Sequence, residues 1–501
     1  MKKLIFVLIS SAFCLAVFSG CSFSISESAK PTVTVETKDE TKGYEKQLKE
    51  NPELLDYSNY TINMEIDSLS NSVIAVEKVS FKNISSQDMD SVIFNIYANA
   101  FTEGSKAFLY LPDEEKDFYK YGQTYMSFEI SNLTLNGKEI PFETSGTLLK
   151  IKPDSPISPG SEAEIAFQFK SVISKTLGRI GGNRQAMWFG NFIPTLGVFK
   201  DGEWITNTYT PFNKSFFTSP ANYNVTITIP KGYVIAAPGA GKTTMDGDKT
   251  KVTFKTSLIR GFNFALSNLY EKSSITTDSG VVINLYTYND IKNKELFLKN
   301  IKNDFDFYFE NIGTYPYQTL DIAECELFDG NSISYPQVIF INRYNLEAYG
   351  EGLDLSSQWF GMLASVDPGR QGWLYNGINE MVKNIRYLSE SRLADEAESE
   401  RKLLSEKLSG KNLSNFDIAL YSYKSREDYK NIECIKSSLM MYDFYKTVGK
   451  DTFFKILNTY YTNYIFKNSD LDDFINTCNE VSGQDYSSFF NYWVKNDFIP
   501  S

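Results

Sequence analysis

Two nearby stretches carry most of the structural information in this chain. The first reads Leu353-Asp354-Leu355-Ser356-Ser357-Gln358-Trp359-Phe360-Gly361. The second reads Trp373-Leu374-Tyr375-Asn376-Gly377. The first stretch predicts a helix, on which positions 353 and 357 lie one turn apart on the same face. Neither stretch contains histidine, and neither does any other part of the 501-residue chain.

The spacing within the first stretch matches the zinc-binding motif H-E-x-x-H. That motif places two imidazoles at i and i+4 on one helix face, where both reach one zinc ion. The Glu between them is the general base that activates the metal-bound water. In this chain the three positions are Leu353, Asp354 and Ser357, so the outline of the motif is present without its ligands.

The residues around the missing motif resemble one family. Gln-Trp-Phe-Gly directly after the second His position, followed by the Trp-Leu box, resembles the aminopeptidase N family of zinc metallopeptidases, which are gluzincins with a thermolysin-like catalytic domain. The resemblance implies that Asn376 stands where the family has its third zinc ligand, a Glu. It implies that Ser334 replaces the Glu that grips the free amino terminus of the substrate. Cys434 replaces the oxyanion-stabilising Tyr in the same way.

These replacements predict the loss of the zinc site. Zinc takes its protein ligands from imidazole, thiolate and carboxylate groups. Leu353 offers no donor, Ser357 offers a neutral hydroxyl and Asn376 offers an amide oxygen. Asp354 is shorter than Glu and has no metal-bound water to deprotonate. We therefore expect no metal, no cofactor and no catalytic residue at these positions, on a scaffold that keeps its shape.

The resemblance also leads to a geometric prediction. If the chain keeps the family's backbone around the zinc site, the side chains of Leu353, Ser357 and Asn376 converge, with their atoms roughly 3–5 Å apart, as around a zinc ion. Leu353 is then largely buried, since it replaces a ligand that points inward.

The period of the apolar residues divides the chain into two halves. Apolar and polar residues alternate in several early segments, which is the period of a half-buried strand, as at Tyr60, Ile62, Met64 and Ile66. The first half therefore predicts an antiparallel β-sandwich over residues 55–272, and the resemblance implies the saddle-like β-domain of the family. Later apolar residues have helical spacing, as between Phe297 and Ile312, with Gly313 as the C-cap.

The second half predicts a thermolysin-like, mainly helical α+β domain over residues 273–501. A strand is expected at Leu320-Asp321-Ile322-Ala323. Residues 389–428 are polar and charged, and they predict an exposed helix pair or an insertion.

The first residues predict export and membrane attachment. An apolar run from Leu4 to Phe18 follows a basic start and is too short to span a membrane, so residues 1–20 predict a signal peptide. The run ends in Phe18-Ser19-Gly20-Cys21, which resembles a bacterial lipobox with Cys21 as the lipidated first residue. The alternative is a plain secreted protein in which Cys21 is incidental.

Residues 21–54 extend this prediction. The stretch after Cys21 is rich in Ser, Thr, Lys and Glu, and it buries too little apolar surface to offset its ordering entropy, so we expect a flexible linker. Lipidated Cys21 would tether the protein to the outer face of the bacterial cytoplasmic membrane. Two or more acyl chains make such an anchor stable.

The composition limits the partners and the redox chemistry. The formal net charge is −12, so nucleic-acid binding is not expected, and an anionic membrane repels the chain except at its anchor. Beyond Cys14 and Cys21 the chain has Cys325, Cys434 and Cys478, an odd number without metal-type spacing. We expect buried, unpaired cysteines.

Three functions are compatible with these residues. In the first, the chain is a pseudoenzyme, a surface lipoprotein whose cleft between the two halves binds a peptide, a glycan or a protein partner without cleaving it. In the second, it is a peptidase or other hydrolase with an unassigned carboxylate-based site, for which oxygen ligands favour calcium or magnesium; the candidates are Asp329, Glu324, Glu326, Asp354 and Glu380. In the third, it is a structural subunit that supports a neighbouring membrane complex.

The anchor prediction can be tested directly. We expect Cys21→Ser to abolish lipid attachment and to move the protein from the membrane fraction to the medium, or to leave an unprocessed precursor. Fractionation of cells expressing either form, with metabolic labelling by a fatty acid, measures both effects. A processed Cys21→Ser form that stays in the membrane fraction would show that another feature holds it there.

Overall fold

A computed structural model describes residues 56–212, 216–330, 332–348, 350, 353–408, 415–416 and 418–496. These residues belong to one compact unit. No helix among them is long and apolar enough to cross a bilayer. The predicted signal peptide, Cys21 and the linker to residue 54 lie outside the described residues.

The front half is a β-sandwich, as expected from the alternating segments. Two short helical segments interrupt its strands, a 3-10 helix at Tyr97–Phe101 and α1 (Glu115–Phe118). The strands in chain order are β1 (Asn59–Asp67), β2 (Ser72–Lys82), β3 (Val92–Asn95), β4 (Ser127–Leu135), β5 (Lys138–Glu139), β6 (Phe142–Ser145), β7 (Leu148–Ile151), β8 (Glu162–Val172), β9 (Ile180–Gly182), β10 (Met187–Phe189), β11 (Thr195–Leu196), β12 (Val198–Lys200), β13 (Glu203–Ile205), β14 (Ala221–Pro230), β15 (Val234–Ala236), β16 (Lys242–Asp246), β17 (Lys249–Ile259) and β18 (Phe264–Ser267).

The largest sheet of the sandwich has eight strands in the order β16-β17-β14-β1-β2-β8-β4-β5. Exposed and buried residues alternate along the whole of β1, as predicted. The buried face packs on two four-stranded sheets, β15-β18-β10-β9 and β11-β3-β7-β6. For example, Phe94 of β3 meets Phe167 of β8 edge-on, with ring centroids 5.6 Å apart. The pairs in the large sheet are antiparallel apart from β1 and β14, which run parallel.

The second half combines one sheet with many helices. Its strands are β19 (Glu271–Thr276), β20 (Val282–Thr287), β21 (Thr319–Glu324), β22 (Ile333–Tyr335) and β23 (Val338–Ile341), in the sheet order β19-β20-β21-β23-β22. The helices are α2 (Lys294–Asn311), α3 (Arg343–Glu347), α4 (Pro368–Tyr387), α5 (Glu390–Leu408), α6 (Arg426–Tyr429), α7 (Ser437–Val448), α8 (Lys450–Tyr464), α9 (Leu471–Ser482) and α10 (Ser487–Lys495). A π-helix at Lys430–Lys436 joins α6 to α7.

This architecture confirms the expected fold class, a β-sandwich followed by a mainly helical α+β part. The predicted helix that ends before Gly313 is α2, and the strand expected at Leu320 is β21. The polar stretch 389–428 contains the helix α5 and the short α6, with a 3-10 turn at Leu420–Ser422 among its other described residues. Among the described residues the cysteines at 325, 434 and 478 form no disulfide, as expected, although Cys434 is only partly buried.

The helix predicted over positions 353–361 is wrong. The structure has only a 3-10 turn there, Ser356–Gln358, and positions 353–355 are not helical. The amide of Asp354 donates to the Ser332 hydroxyl at 2.9 Å, and its carbonyl accepts from the Ser334 hydroxyl. The Ser334 hydroxyl therefore bonds the Asp354 carbonyl, which an α-helix would pair with the amide of Gln358.

A buried cation joins the sandwich to the helical part. Arg260, directly after β17, donates from Nη1 to the carbonyl of Thr218 at 2.7 Å. From the same guanidinium, Nε donates to the carbonyl of Met362 at 3.1 Å and Nη2 to that of Lys467 at 2.6 Å. Because one side chain bonds three separate segments, it fixes the loops beside residues 353–361, which have the outline of the zinc motif without its ligands and are called the degenerate motif below.

Candidate functional site

The side chain of Gln358 holds the degenerate motif against the edge of the second sheet. Gln358 is fully buried, and its Nε2 donates to the carbonyl of Tyr335 on β22 at 2.8 Å. Its Oε1 accepts from the hydroxyl of Tyr315 at 3.1 Å and from the amide of Gln337 at 3.2 Å. The 3-10 turn therefore lies directly beside β22, the strand that carries Ser334.

Asp354 and Ser334 are engaged in hydrogen bonds within the protein. The Ser334 hydroxyl donates to the main-chain carbonyl of Asp354, and the Ser357 hydroxyl donates to the Asp354 carboxylate. The residues at the amine-gripping, general-base and second-ligand positions thus bond to one another. This arrangement ties the edge strand to the turn.

The next helix meets Ser357 one turn further on than predicted. Asn379 of α4 donates from Nδ2 to the Ser357 hydroxyl at 3.3 Å and to the Phe360 carbonyl at 3.0 Å. Asn376, the expected third ligand position, donates instead towards Glu433 Oε2 at 3.5 Å. The side chains of Ser357 and Asn376 therefore bond in different directions.

The expectation that Leu353 and Ser357 share one helix face is wrong. Leu353 is half-buried and packs at the border of the core. The reason is the backbone, because a side chain that precedes the 3-10 turn does not share the face that a continuous α-helix would create. The lack of histidine in the chain does not depend on this geometry.

Glu433 is a buried carboxyl group that the sequence reasoning missed. It lies on the π-helix, is 4% exposed, and contacts Asn376. Its Oε1 accepts from the Tyr423 hydroxyl at 3.1 Å. Single-turn π-helices inside α-helices often occur at functional sites. The signal was present in the sequence, because Glu433 precedes Cys434 at the position compared with the family's tyrosine.

Burial dominates the chemistry of Glu433. It raises the pKa of this carboxyl to about 8, while the hydrogen bonds from Tyr423 and Asn376 lower it in part. A carboxylic acid in this state is mostly protonated at neutral pH, so it donates rather than accepts a proton. Burial also raises the pKa of Tyr429, and the electrostatic interaction with Cys434 adds to that rise. Cys434 therefore lies beside the same cluster.

A small cavity borders the degenerate motif from the sandwich side. Its volume is about 50 Å³, and its walls include Arg179, Arg260, Ser334 and Tyr335. Both arginines are buried, at 7% and 6% exposure, and no carboxylate is among the residues that line it. Burial raises the pKa of Tyr335 to about 12, and the positive charge of Arg179 opposes that rise. The cavity is therefore positively polarised and has room for a few waters or one carboxylate group.

The carboxylates considered for an alternative site are distributed among separate contacts. Glu324 accepts from the amides of Tyr288 and Asn289 at 2.8 and 3.0 Å, so it holds the loop after β20. Glu326 pairs with Lys120 at 2.6 Å. The remaining three bond different partners, Asp329 with Arg426, Asp354 with Ser357 and Glu380 with Lys383.

The donor set does not fit a zinc ion. Structural and catalytic zinc sites use three or four imidazole, thiolate or carboxylate ligands. Around the degenerate motif the side chains offer a hydroxyl from Ser357, amides from Asn376 and Asn379, and the carboxylate of Asp354. Among the residues that the structure describes, no cluster of three histidine, cysteine, aspartate or glutamate side chains could hold a metal.

The buried acid makes stability depend on pH in a defined direction. The pKa of Glu433 is about 8 in the folded protein and roughly 4.3 in an unfolded chain. Between these pH values the folded state holds a proton that the unfolded state has lost, so the free energy of unfolding falls as pH rises. We expect Glu433→Gln to remove this loss, so that the Tm of the variant minus that of the wild type increases from pH 5 to pH 9.

Thermal unfolding of both proteins across that range measures the difference. The slope is at most about 1.4 kcal/mol per pH unit for one proton. Glu398→Gln, which alters an exposed carboxylate on α5, is the matched control and should show no such trend. A Glu433→Gln difference that is flat with pH would contradict a protonated Glu433.

The fold itself is shared with known enzymes. No protein-family model matches the sequence, and no curated protein sequence matches it. An M1 zinc metallopeptidase from Deinococcus radiodurans is similar in structure, with a TM-score of 0.62 and 12% identity over 89% of this chain and 94% of that one. A point mutant of an M1 zinc metallopeptidase from the same organism, bound to a Tyr-Ser-Ala substrate, has a TM-score of 0.63 and 11% identity. The match covers 89% of this chain and 95% of that one.

A further mutant, a two-domain M1 zinc metallopeptidase bound to L-arginine, gives a TM-score of 0.62 at 11% identity, over 89% of this chain and 95% of that one. Identities this low establish similarity of fold and not of activity. The described chain therefore has the two-part fold of the M1 zinc metallopeptidases, the aminopeptidase N family.

Proposed function

We propose that this protein is a non-catalytic, lipid-anchored surface protein with an aminopeptidase-like fold, and that it binds a peptide or protein partner without cleaving it. The observation that carries the proposal is the donor set at the degenerate motif. Leu353, Ser357 and Asn376 supply no group that zinc selects, and the chain contains no histidine to replace them.

The hydrogen bonds of the motif support this proposal. Asp354, Ser357 and Asn379 bond to one another or to neighbouring main chain. A site built for a metal leaves several polar groups that need the ion as their partner, and burying such groups without one costs free energy. Here the donors of these groups hold the turn, β22 and α4 together, while one amide oxygen, Asn379 Oδ1, is buried without a hydrogen bond among the described residues.

The cavity beside the motif indicates the chemistry of the partner. Two buried guanidinium groups, Arg179 and Arg260, line a space without a lining carboxylate, and Arg260 adds positive charge while its N–H groups bond to Thr218, Met362 and Lys467. Charge-assisted hydrogen bonds to arginine favour carboxylates. We therefore assign an acidic group of the partner to this cavity, such as the carboxyl terminus of a peptide.

A second candidate function rests on Glu433. A carboxylic acid that stays protonated at neutral pH is the state required of a general acid. Glu433 is buried beside Asn376 and Tyr423 and has the raised pKa of that state. This candidate is a hydrolase without zinc, in which Glu433 protonates a leaving group.

Metal analysis and hydrolysis assays test the main proposal. We expect the mature protein to purify without stoichiometric zinc and to release no amino acid from aminoacyl-chromophore substrates, with or without added zinc. Leu353→His, Asp354→Glu, Ser357→His and Asn376→Glu combined should also fail to bind zinc tightly, because positions 353 and 357 do not share a helix face. About one zinc per chain with chelator-sensitive aminopeptidase activity would overturn the proposal. Zinc-independent hydrolysis that Glu433→Gln abolishes would instead favour the second candidate.

Peptide binding tests the acidic group. We expect the tripeptide Tyr-Ser-Ala to bind intact and its carboxy-terminal amide to bind at least ten-fold more weakly, a difference of about 1.4 kcal/mol. Arg179→Gln should remove this preference, whereas Arg179→Lys should keep most of it because the charge is retained. Calorimetric titration with mass spectrometry of the peptide afterwards measures binding and cleavage separately. Equal affinity for acid and amide in the wild type would rule out a carboxylate in the cavity.

A further inference from the structure

A second and larger pocket lies at one end of the β-sandwich, lined by residues that the candidate site does not use. Its volume is about 280 Å³, close to the lower end of the roughly 300–1,000 Å³ typical of small-molecule sites. Loops at the ends of a sandwich are common places for binding sites, because a rigid scaffold positions them.

The loops that converge here come from distant parts of the chain. The β1–β2 turn contributes Asn71, the segment after β8 contributes Lys175, and the β9–β10 turn contributes Arg184. Ser174 and Leu266 are buried at its base, and the Ser174 hydroxyl pairs with that of Thr176 at 2.8 Å. The base is therefore ordered and the rim is solvent-accessible.

The pocket has two cations and no lining carboxylate. Lys175 and Arg184 are exposed, and across the described ranges neither forms an ion pair. Two carboxylates bond to lining residues, Glu326 and Asp67, and Lys120 pairs with Glu326 at 2.6 Å. Asp67, next to the β1–β2 turn, accepts from that turn's own groups. The net positive charge of the rim is therefore available to a ligand.

The turn that carries Arg184 is held in place before any ligand arrives. Asn183 Oδ1 accepts from the amides of Gln185 and Ala186 at 2.8 and 2.9 Å, and Asn183 Nδ2 donates to Glu326 at 2.9 Å. Side-chain bonds of this kind rigidify a turn. Less entropy is then lost when the turn closes on a ligand.

The remaining side chains suit a ligand with many hydroxyl groups. Amide side chains both donate and accept hydrogen bonds, as hydroxyls do, and besides Asn183, which holds the turn, three amides line the pocket: Asn71, Gln185 and Asn268. Tyr233 adds a ring with an apolar face and a polar tip, and Tyr121 adds a ring whose hydroxyl already donates to Glu326. A sugar ring presents both kinds of surface, and the two cations select one that carries a negative charge.

We propose that this pocket binds an acidic sugar, a pyranose unit carrying a carboxylate, with Arg184 and Lys175 on the carboxylate and the amides on the hydroxyls. The site is separate from the degenerate motif and does not rest on the function proposed for it. At about 280 Å³ it has room for one or two rings.

Titration of the mature, full-length protein with three small probes tests this assignment. Glucuronic acid is the acidic sugar, glucose differs from it by the absence of the carboxylate, and acetate supplies the carboxylate without the ring. We expect glucuronate to bind at least ten-fold more tightly than either of the others. Arg184→Gln should weaken glucuronate at least ten-fold and leave glucose unchanged, whereas Asn268→Ala should weaken both sugars.

Arg392→Gln is the matched control, because Arg392 is exposed on α5, away from the pocket. It should leave glucuronate binding unchanged, and thermal unfolding should show that all three variants remain folded. Acetate binding as tight as glucuronate, equal affinities for glucose and glucuronate, or no detectable glucuronate binding would each overturn the proposal. An Arg184→Gln variant that is folded and binds glucuronate normally would also overturn it.

Discussion

The arrangement of the two halves depends on a charge buried between them. The guanidinium of Arg260 is surrounded by main-chain carbonyls and by the amide oxygen of Asn468, and its hydrogen-bond partners in the described chain include no carboxylate. Burial lowers its pKa, yet the guanidinium remains protonated, because arginine is not deprotonated in proteins. Sliding of one half over the other would leave a charged group without partners in the interior, which is costly. The geometry of the cavity beside Arg260 is fixed for this reason.

Much of the fold could be predicted from the sequence, because the apolar periods differ between the halves. The alternation that begins at Tyr60 and the helical spacing that ends at Ile312 can be recognised from residues close together in the sequence. The first corresponds to the strand β1 and the second to the helix α2. The parallel pairing of β1 with β14 could not be predicted in the same way, since it joins residues that are 163 positions apart. The spacing of apolar residues within one segment does not indicate which distant segment that segment pairs with.

The lack of zinc-binding side chains at the site could be predicted from the sequence, but the backbone conformation there could not. The absence of zinc donors at Leu353 and Ser357 follows from residue identity alone. The loss of the helix does not, because Asp354 bonds the hydroxyl groups of Ser332 and Ser334, which are 22 and 20 positions away in the sequence. Glu433 was overlooked for a similar reason, since a carboxylate in a charged segment is usually solvated and only the fold shows that this one is buried.

The position of β1 in the middle of the large sheet has a consequence for how the chain folds during synthesis. β2 follows β1 directly, but the opposite side of β1 stays an open edge until residues around Asn222 have emerged. An unpaired edge invites pairing with other chains, and charged side chains reduce that risk. Glu65 and Asp67 are exposed on β1, so they protect the nascent hairpin during this interval. Late closure by β14 then makes sandwich formation slow, since long loops must close before their contacts form.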